Sequence, residues 1–257
     1  MQHPPTHPER AEMSTAFTFQ RYILAASIIL GPATVMLFVY SWPAGLLRAP
    51  ILATAQAGPV GNTLHFIGGV AASFFLPVGY LGMSLLGMRR APWLATICAA
   101  LSLVGWIPWA ALMGIDDLGL AITQAGSTPQ LAALWAHFNS DTVMSTYLLI
   151  YVIGHMLSSV LIGILLVRLR RIPVWAGWAF ALSGPLKILL FVPSPILAIR
   201  SALTLLVFAL WIGGAIPAAL AMFNNREPET PASPTSKDPA HIDIHRPGSL
   251  LEGDAQH

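Results

Sequence analysis

Residues 143–192 read VMSTYLLIYVIGHMLSSVLIGILLVRLRRIPVWAGWAFALSGPLKILLFV. Two apolar runs, each close to the roughly 20 residues that a helix needs to cross a bilayer, flank a basic join at residues 168–173. Neither run alternates apolar and polar side chains, which excludes transmembrane β-strands. The stretch therefore predicts an antiparallel pair of membrane helices.

Four further runs along the chain are similarly long and apolar. The six predicted spans are Tyr22 to Trp42, Asn62 to Met88, Trp93 to Gly114, Val143 to Val167, Val174 to Val192, and Ile196 to Phe223. Only 9% of the residues are charged, against about 25% in an ordinary soluble domain, so a soluble fold could not cover its surface. We predict an all-α, polytopic membrane helix bundle with six transmembrane helices.

The basic residues predict how this bundle is oriented. Ten of them fall in segments on the same side as the N-terminus, and only Arg48 falls in a loop on the other side. Both termini are therefore expected in the cytoplasm, with the protein in the plasma (cytoplasmic) membrane and the lipid bilayer as its partner. The domain prediction is a disordered segment 1–20, a membrane domain 21–223 and a disordered, proline-rich tail 224–257, because the two ends hold too little apolar surface to fold.

Several function classes have no support in the composition. A net charge of +2 gives no basic surface for nucleic acid. The single cysteine, Cys98, excludes an intrachain disulfide, a CxxC metal site and an iron–sulfur cluster. No cofactor or metal is assigned, and the oligomeric state is not predicted.

Two joins between predicted spans share a pattern. The second and third spans meet at Arg89-Arg90-Ala91-Pro92, and the fourth and fifth meet at Arg170-Arg171-Ile172-Pro173. This is either a parallel repeat of the kind that some transporters contain or the usual start of a helix at the cytoplasmic face. With an aspartate ahead of the fourth span, these joins resemble uncharacterised multi-pass bacterial integral membrane proteins, grouped as domains of unknown function. The resemblance implies a helical membrane fold and no particular activity.

Ionisable side chains within the spans are the first functional candidates, because burying them in lipid is costly. The fourth span carries a polar stripe of Tyr147, Tyr151, His155, Ser158 and Ser159, and the second span carries His65, Gly69, Ser73, Tyr80 and Ser84. Both faces are expected to turn toward a shared interior, which is either a packed seam or a cavity. The candidate ligand or cavity residues are His65, Tyr147, Tyr151, His155, Lys187 and Arg200.

The predicted external loop, residues 115–142, holds a cluster of charged and titratable residues. Its members are Asp116, Asp117, His137 and Asp141. Thr128-Pro129 predicts the start of a short helix lying in the membrane interface. At least one of the acids is expected to pair with Lys187 or Arg200 at the outer mouth of the bundle. A zinc site from His137, Asp141 and His65 is an alternative that no tight motif supports.

Three classes of function follow from these patterns. The first is a structural or accessory membrane protein in which the polar stripes serve packing. The second is a transporter or binder of a small-molecule ligand that uses an outward-facing cavity. The third is a membrane-embedded enzyme that uses the outer His and Asp residues.

Overall fold

The computed structural model describes residues 7–43, 46–47, 49–188 and 197–224. Within these residues the chain forms seven α-helices and the fold is all-α. They are α1 (His7–Ser41), α2 (Pro50–Leu85), α3 (Pro92–Gln124), α4 (Pro129–Ser140), α5 (Thr142–Leu169), α6 (Val174–Leu186) and α7 (Leu197–Phe223). The prediction of an all-α fold is confirmed.

In the part of the chain that the structure describes, five helices are long and apolar enough to cross a membrane. The segments are Thr15–Ser41, Pro50–Leu85, Pro92–Gln124, Thr142–Leu169 and Ser201–Phe223. The described part of α6 has 13 residues, fewer than a span requires. The rest of the predicted fifth span, the Pro193-Ser194-Pro195 turn and the predicted tail from residue 225 onward lie outside the described residues.

Six of the helices form a closed ring in chain order. Each of α1, α2, α3, α5, α6 and α7 packs against the next, and α7 packs back against α1. The short helix α4 contacts α3 and α5, between which it lies in sequence. A ring of this kind has one central axis, and inward-facing side chains from several helices can meet there.

The distribution of side chains suits a lipid environment. Large apolar side chains face outward on several helices, including Phe19, Ile67, Phe74, Trp93 and Ile107. Small polar side chains are buried between helices, including Ser84, Ser102, Ser158, Ser159 and Ser183. Extensive apolar exposure is unusual for a soluble monomer, whereas polar residues in membrane bundles pack between helices.

Glycines allow the closest helix contacts. A Cβ atom on Gly105 of α3 would lie 2.5 Å from the carbonyl carbon of Gly154 on α5. A Cβ atom on Gly163 of α5 would lie 2.5 Å from the carbonyl oxygen of Gly177 on α6. Because these obstacles are backbone atoms, α5 can approach both neighbours only through glycine.

Three helices extend beyond their predicted ends. Helix α1 begins at His7, although residues 1–20 were expected to lack structure. The segment Glu9 to Met13 is rich in helix formers, and extending an existing helix avoids the cost of nucleation.

Helix α2 begins at Pro50, twelve residues before the predicted start at Asn62. Its first turns end at Gly58, where φ is +68° and ψ is 177°, a conformation that glycine adopts readily. The chain bends there, and Pro59 begins the main part of the helix.

Helix α3 continues to Gln124, so Asp116 and Asp117 belong to a helix and not to the external loop that the sequence predicted. By contrast, the predicted start of the short helix is confirmed, since the Thr128 hydroxyl accepts a hydrogen bond from the Leu131 amide at 3.4 Å. The Trp135 indole of α4 donates to the Ile115 carbonyl of α3 at 3.2 Å, which fastens α4 to the end of α3.

Candidate functional site

The predicted site residues divide into two separate groups in the structure. The first group lies where the end of α1, the first half of α2 and the last third of α3 meet. His65 is fully buried there, and its Nε2 atom lies 3.2 Å from Oδ2 of Asp116. Its Nδ1 atom lies 2.8 Å from the Phe38 carbonyl oxygen of α1. The His65 ring therefore joins three helices.

Aromatic stacking and further hydrogen bonds surround this pair. The Trp42 ring stacks on His65 with a centroid separation of 3.5 Å and an interplanar angle of 2°. The Trp42 indole donates to Asn62 Oδ1 at 3.0 Å, and the Asn62 amide donates to the Thr54 carbonyl at 2.9 Å. The Thr54 hydroxyl meets the Thr123 hydroxyl at 2.7 Å. Every polar side chain named here has a partner, as a structural network requires.

The acid–base pairing in this network differs from the sequence expectation. Among the side chains that the structure describes, Asp116 is the only buried acid, and its partner is His65, not Lys187. Pairing with histidine explains how an aspartate is tolerated inside a long apolar helix. Arg200 lies in α7, and its side chain is outside what the structure describes.

The other members of the predicted outer cluster do not join this network. Asp117 and His137 are exposed. Asp141 caps α5, because its Oδ1 accepts a hydrogen bond from the Met144 amide at 2.8 Å. Among the described residues, no group of three His, Cys, Asp or Glu side chains is arranged to hold a metal ion, so the proposed His137, Asp141 and His65 set is not assembled.

The second group lies in the centre of the ring. His155 of α5 is 3% exposed, and its ring lies 4.4 Å from that of Tyr151 and 5.1 Å from that of Trp106. Across the interior, the Tyr80 hydroxyl of α2 hydrogen-bonds the Ser159 hydroxyl of α5 at 2.9 Å. The predicted polar faces of the second and fourth spans therefore meet at Tyr80 and Ser159, whereas His65 of the second span packs against α1 and α3 instead. Tyr147 departs from the prediction, since it is 39% exposed and points away from that interior.

Lys187, which immediately follows α6, is buried among the same aromatic rings. Its Nζ atom lies 3.3 Å from the ring centroid of Trp211 on α7 and 5.5 Å from that of Trp106 on α3. These distances are within the range of a cation–π interaction.

The hydrogen-bonding capacity of this centre is unfilled. Among the described residues, four buried side-chain nitrogens have no hydrogen-bond partner: Trp106 Nε1, His155 Nε2, Lys187 Nζ and Trp211 Nε1. The Tyr80 hydroxyl lies near the Trp211 indole and hydrogen-bonds the Ser159 hydroxyl. We call the four residues the lysine cluster. Buried polar atoms are normally paired, so four unpaired nitrogens on four neighbouring side chains mark a place where a partner is missing.

The types of atom in the lysine cluster specify what that partner must offer. The Lys187 amine and the two indoles are donors. His155 Nδ1 lies 2.5 Å from the Tyr151 carbonyl oxygen, which can only accept, so Nδ1 carries the proton. In the neutral ring Nε2 is then an acceptor. The cluster thus suits a small group that accepts several hydrogen bonds and can donate one.

Trp106 and Trp211 were not among the predicted site residues. Tryptophan in membrane helices concentrates at the two interfaces, whereas these two lie well inside α3 and α7 and are nearly inaccessible, at 2% and 1% exposure. A buried indole needs a partner for its N–H group, so tryptophan far from a span end is the signal that could have identified them.

Compared with known proteins, the chain matches no protein-family model, no curated protein and no solved structure.

Proposed function

We propose that the protein is a multi-pass integral membrane protein with six spans and both termini in the cytoplasm, and that it binds a small acidic ligand at the lysine cluster. The observation that carries the binding function is the set of four unpaired nitrogens made up of Lys187 Nζ and one nitrogen each of Trp106, His155 and Trp211. A carboxyl group supplies the missing partners, because its oxygens accept from the amine and indoles and its acid proton can be donated to His155.

Electrostatics support the same ligand class. Asp116, the one buried acid among the side chains that the structure describes, is paired with His65 and not with Lys187. An uncompensated ionisable group inside a membrane bundle is costly and is retained mainly for function. A carboxylate with an ammonium, or a carboxylic acid with an amine, forms a pair that is neutral overall, so binding relieves this cost.

The sixth span in this proposal is α6 with the residues that follow it. Helix α6 packs between α5 and α7 in the ring, and its Ala176, Phe180 and Ser183 are fully buried. The predicted fifth span, Val174 to Val192, has 19 residues, which is close to the length that a span requires. An even number of spans places both termini on one side, as the basic residues predict.

A structural or accessory role is the second candidate. It is favoured by the close glycine-mediated contacts of α5 with both α3 and α6, which suit a rigid, packed bundle. In that case Lys187 would serve only the packing of the interior.

We expect Lys187→Met to separate these two functions. Methionine has a similar length without the buried polar atom, so the ligand-free protein should gain about 1–3 kcal/mol of stability and lose its response to an acid. Sodium acetate is the probe, compared with sodium chloride at equal ionic strength, on protein in lipid nanodiscs. A thiol-reactive dye that labels Cys98, which is fully buried, reports thermal unfolding.

The matched control is Arg168→Met, which removes an exposed cation of α5. Acetate should raise the unfolding temperature of the wild type and of this control, but not that of Lys187→Met. A Lys187→Met variant that is less stable than the wild type, with no acetate response in either protein, would support the packing role instead.

A further inference from the structure

The hydrogen-bond geometry of His65 fixes where its protons are. The Nδ1 atom lies 2.8 Å from the Phe38 carbonyl oxygen, which can only accept, so Nδ1 carries a proton. In a neutral imidazole the other nitrogen, Nε2, then holds a lone pair. This Nε2 atom lies 3.2 Å from Oδ2 of Asp116, and an ionised carboxylate is also only an acceptor. Two acceptors cannot hydrogen-bond, so the contact needs one further proton.

We propose that His65 and Asp116 form a site that binds a single proton, and that this proton fastens α1, α2 and α3 to one another. The proton lies either on the imidazole, beside a carboxylate, or on the carboxyl group, beside a neutral imidazole. The pair is neutral overall in both arrangements, which suits a buried position. Loss of the proton sets a lone pair of His65 against the carboxylate, so the contact between the helices opens.

The surroundings of the pair leave the proton to these two groups. The rings that pack on His65 in the described part of the chain do not titrate and belong to Phe38, Trp42 and Phe66. Asp117 of α3 and His137 of α4 are exposed, where water compensates their charge. The His65 side chain is 0% exposed and that of Asp116 is 11% exposed, so the proton enters and leaves through Asp116.

A bound proton makes the stability of the fold depend on pH in one direction. Above about pH 6.5 a free imidazole and a free carboxyl group hold no proton, so the unfolded chain has none at these two positions. The folded contact requires one, so folding takes up a proton and stability falls as the pH rises. Above about pH 6.5 this site alone should raise the equilibrium constant for unfolding by up to about tenfold per pH unit.

The test is thermal unfolding of the nanodisc-embedded protein between about pH 6 and about pH 8.5, with Asp116→Asn as the variant. Asparagine has the shape of aspartate, and its amide donates to the neutral Nε2 atom without titrating, so it takes the place of the proton. The matched control is Asp117→Asn, the same change at the exposed neighbour. The wild type and this control should lose several degrees of unfolding temperature as the pH rises, and Asp116→Asn should lose less than half as much.

Two results would overturn the proton site. An Asp116→Asn variant whose unfolding temperature falls as steeply with pH as that of the wild type would place the titrating proton elsewhere. A response equally weakened in Asp117→Asn would assign it to general charge and not to the pair. If Asp116→Asn does not fold, the double variant His65→Leu with Asp116→Leu takes its place and should show the same weak response. None of these results involves Lys187, so they leave the proposed ligand binding unaffected.

Discussion

Replacing Gly154 with leucine is expected to prevent the ring from closing. A Cβ atom at this position would lie 2.5 Å from the Gly105 Cα atom and 3.0 Å from the Gly105 backbone nitrogen. Backbone atoms of a packed helix cannot move aside as a side chain can, so α3 and α5 would be forced apart and the interior around His155 would open. We expect a loss of more than about 3 kcal/mol of stability, seen as an aggregated elution profile after extraction.

The matched control is Gly114→Leu on α3, where a Cβ atom would meet nothing within 4 Å. This variant should elute as the wild type does and unfold within a few degrees of it. Equal behaviour of Gly154→Leu and Gly114→Leu would contradict the helix contact that positions His155.

Breaking the His65–Asp116 pair is expected to have the second largest effect. Removing one member leaves the other buried without its partner, which costs about 3–5 kcal/mol. Single variants His65→Leu and Asp116→Leu should each show this loss in thermal unfolding. The double variant should lose clearly less stability than the sum of the two single variants, because neither group is left buried without its partner.

Asp117→Leu is the control for this cycle, since the neighbouring carboxyl group is exposed and its removal should change stability by less than about 0.5 kcal/mol. Strictly additive losses in the double variant would show that His65 and Asp116 do not depend on each other. The stability lost in His65→Leu also includes the loss of the hydrogen bond to the Phe38 carbonyl. The test of the pair is therefore the coupling energy of the double-variant cycle, and not the stability loss of either single variant.

The long apolar runs made the main helices predictable. Helix α5 was predicted at Val143 to Val167 and occupies Thr142–Leu169, because an uninterrupted apolar run ends at the Arg168–Arg171 group. The start of α4 was predictable from Thr128-Pro129, since capping depends on neighbouring residues alone. These features are local, and a single sequence contains the information that they need.

Features that depend on distant partners were not predictable. Asp116 looked like a loop residue because an acid inside a span is costly, and only its distance to His65, 51 positions earlier in the chain, shows why α3 can continue. The extension of α2 was also not predicted. In the sequence, Gly58-Pro59 looks like a helix boundary, whereas in the structure it forms a bend between two helical segments.

The central site was predicted in part. His155 and Lys187 were identified because they are ionisable groups inside spans. The two indoles beside Lys187 were not, because the order of helices around the ring decides which tryptophan faces the interior. Trp106 and Trp211 lie 105 positions apart in sequence, yet their rings stack with centroids 6.2 Å apart.

Six crossings of the membrane would place Lys187 inside the bilayer, and the proposed binding site requires that position. Single cysteines introduced into a Cys98→Ala background at Gln2, Gln130, Arg171 and Ser236 test this by labelling with an impermeant maleimide. The six-span arrangement predicts that only position 130 is labelled in intact cells, and that positions 2, 171 and 236 are labelled only after the membrane is permeabilised. Labelling of positions 2 and 236 from opposite sides would contradict it.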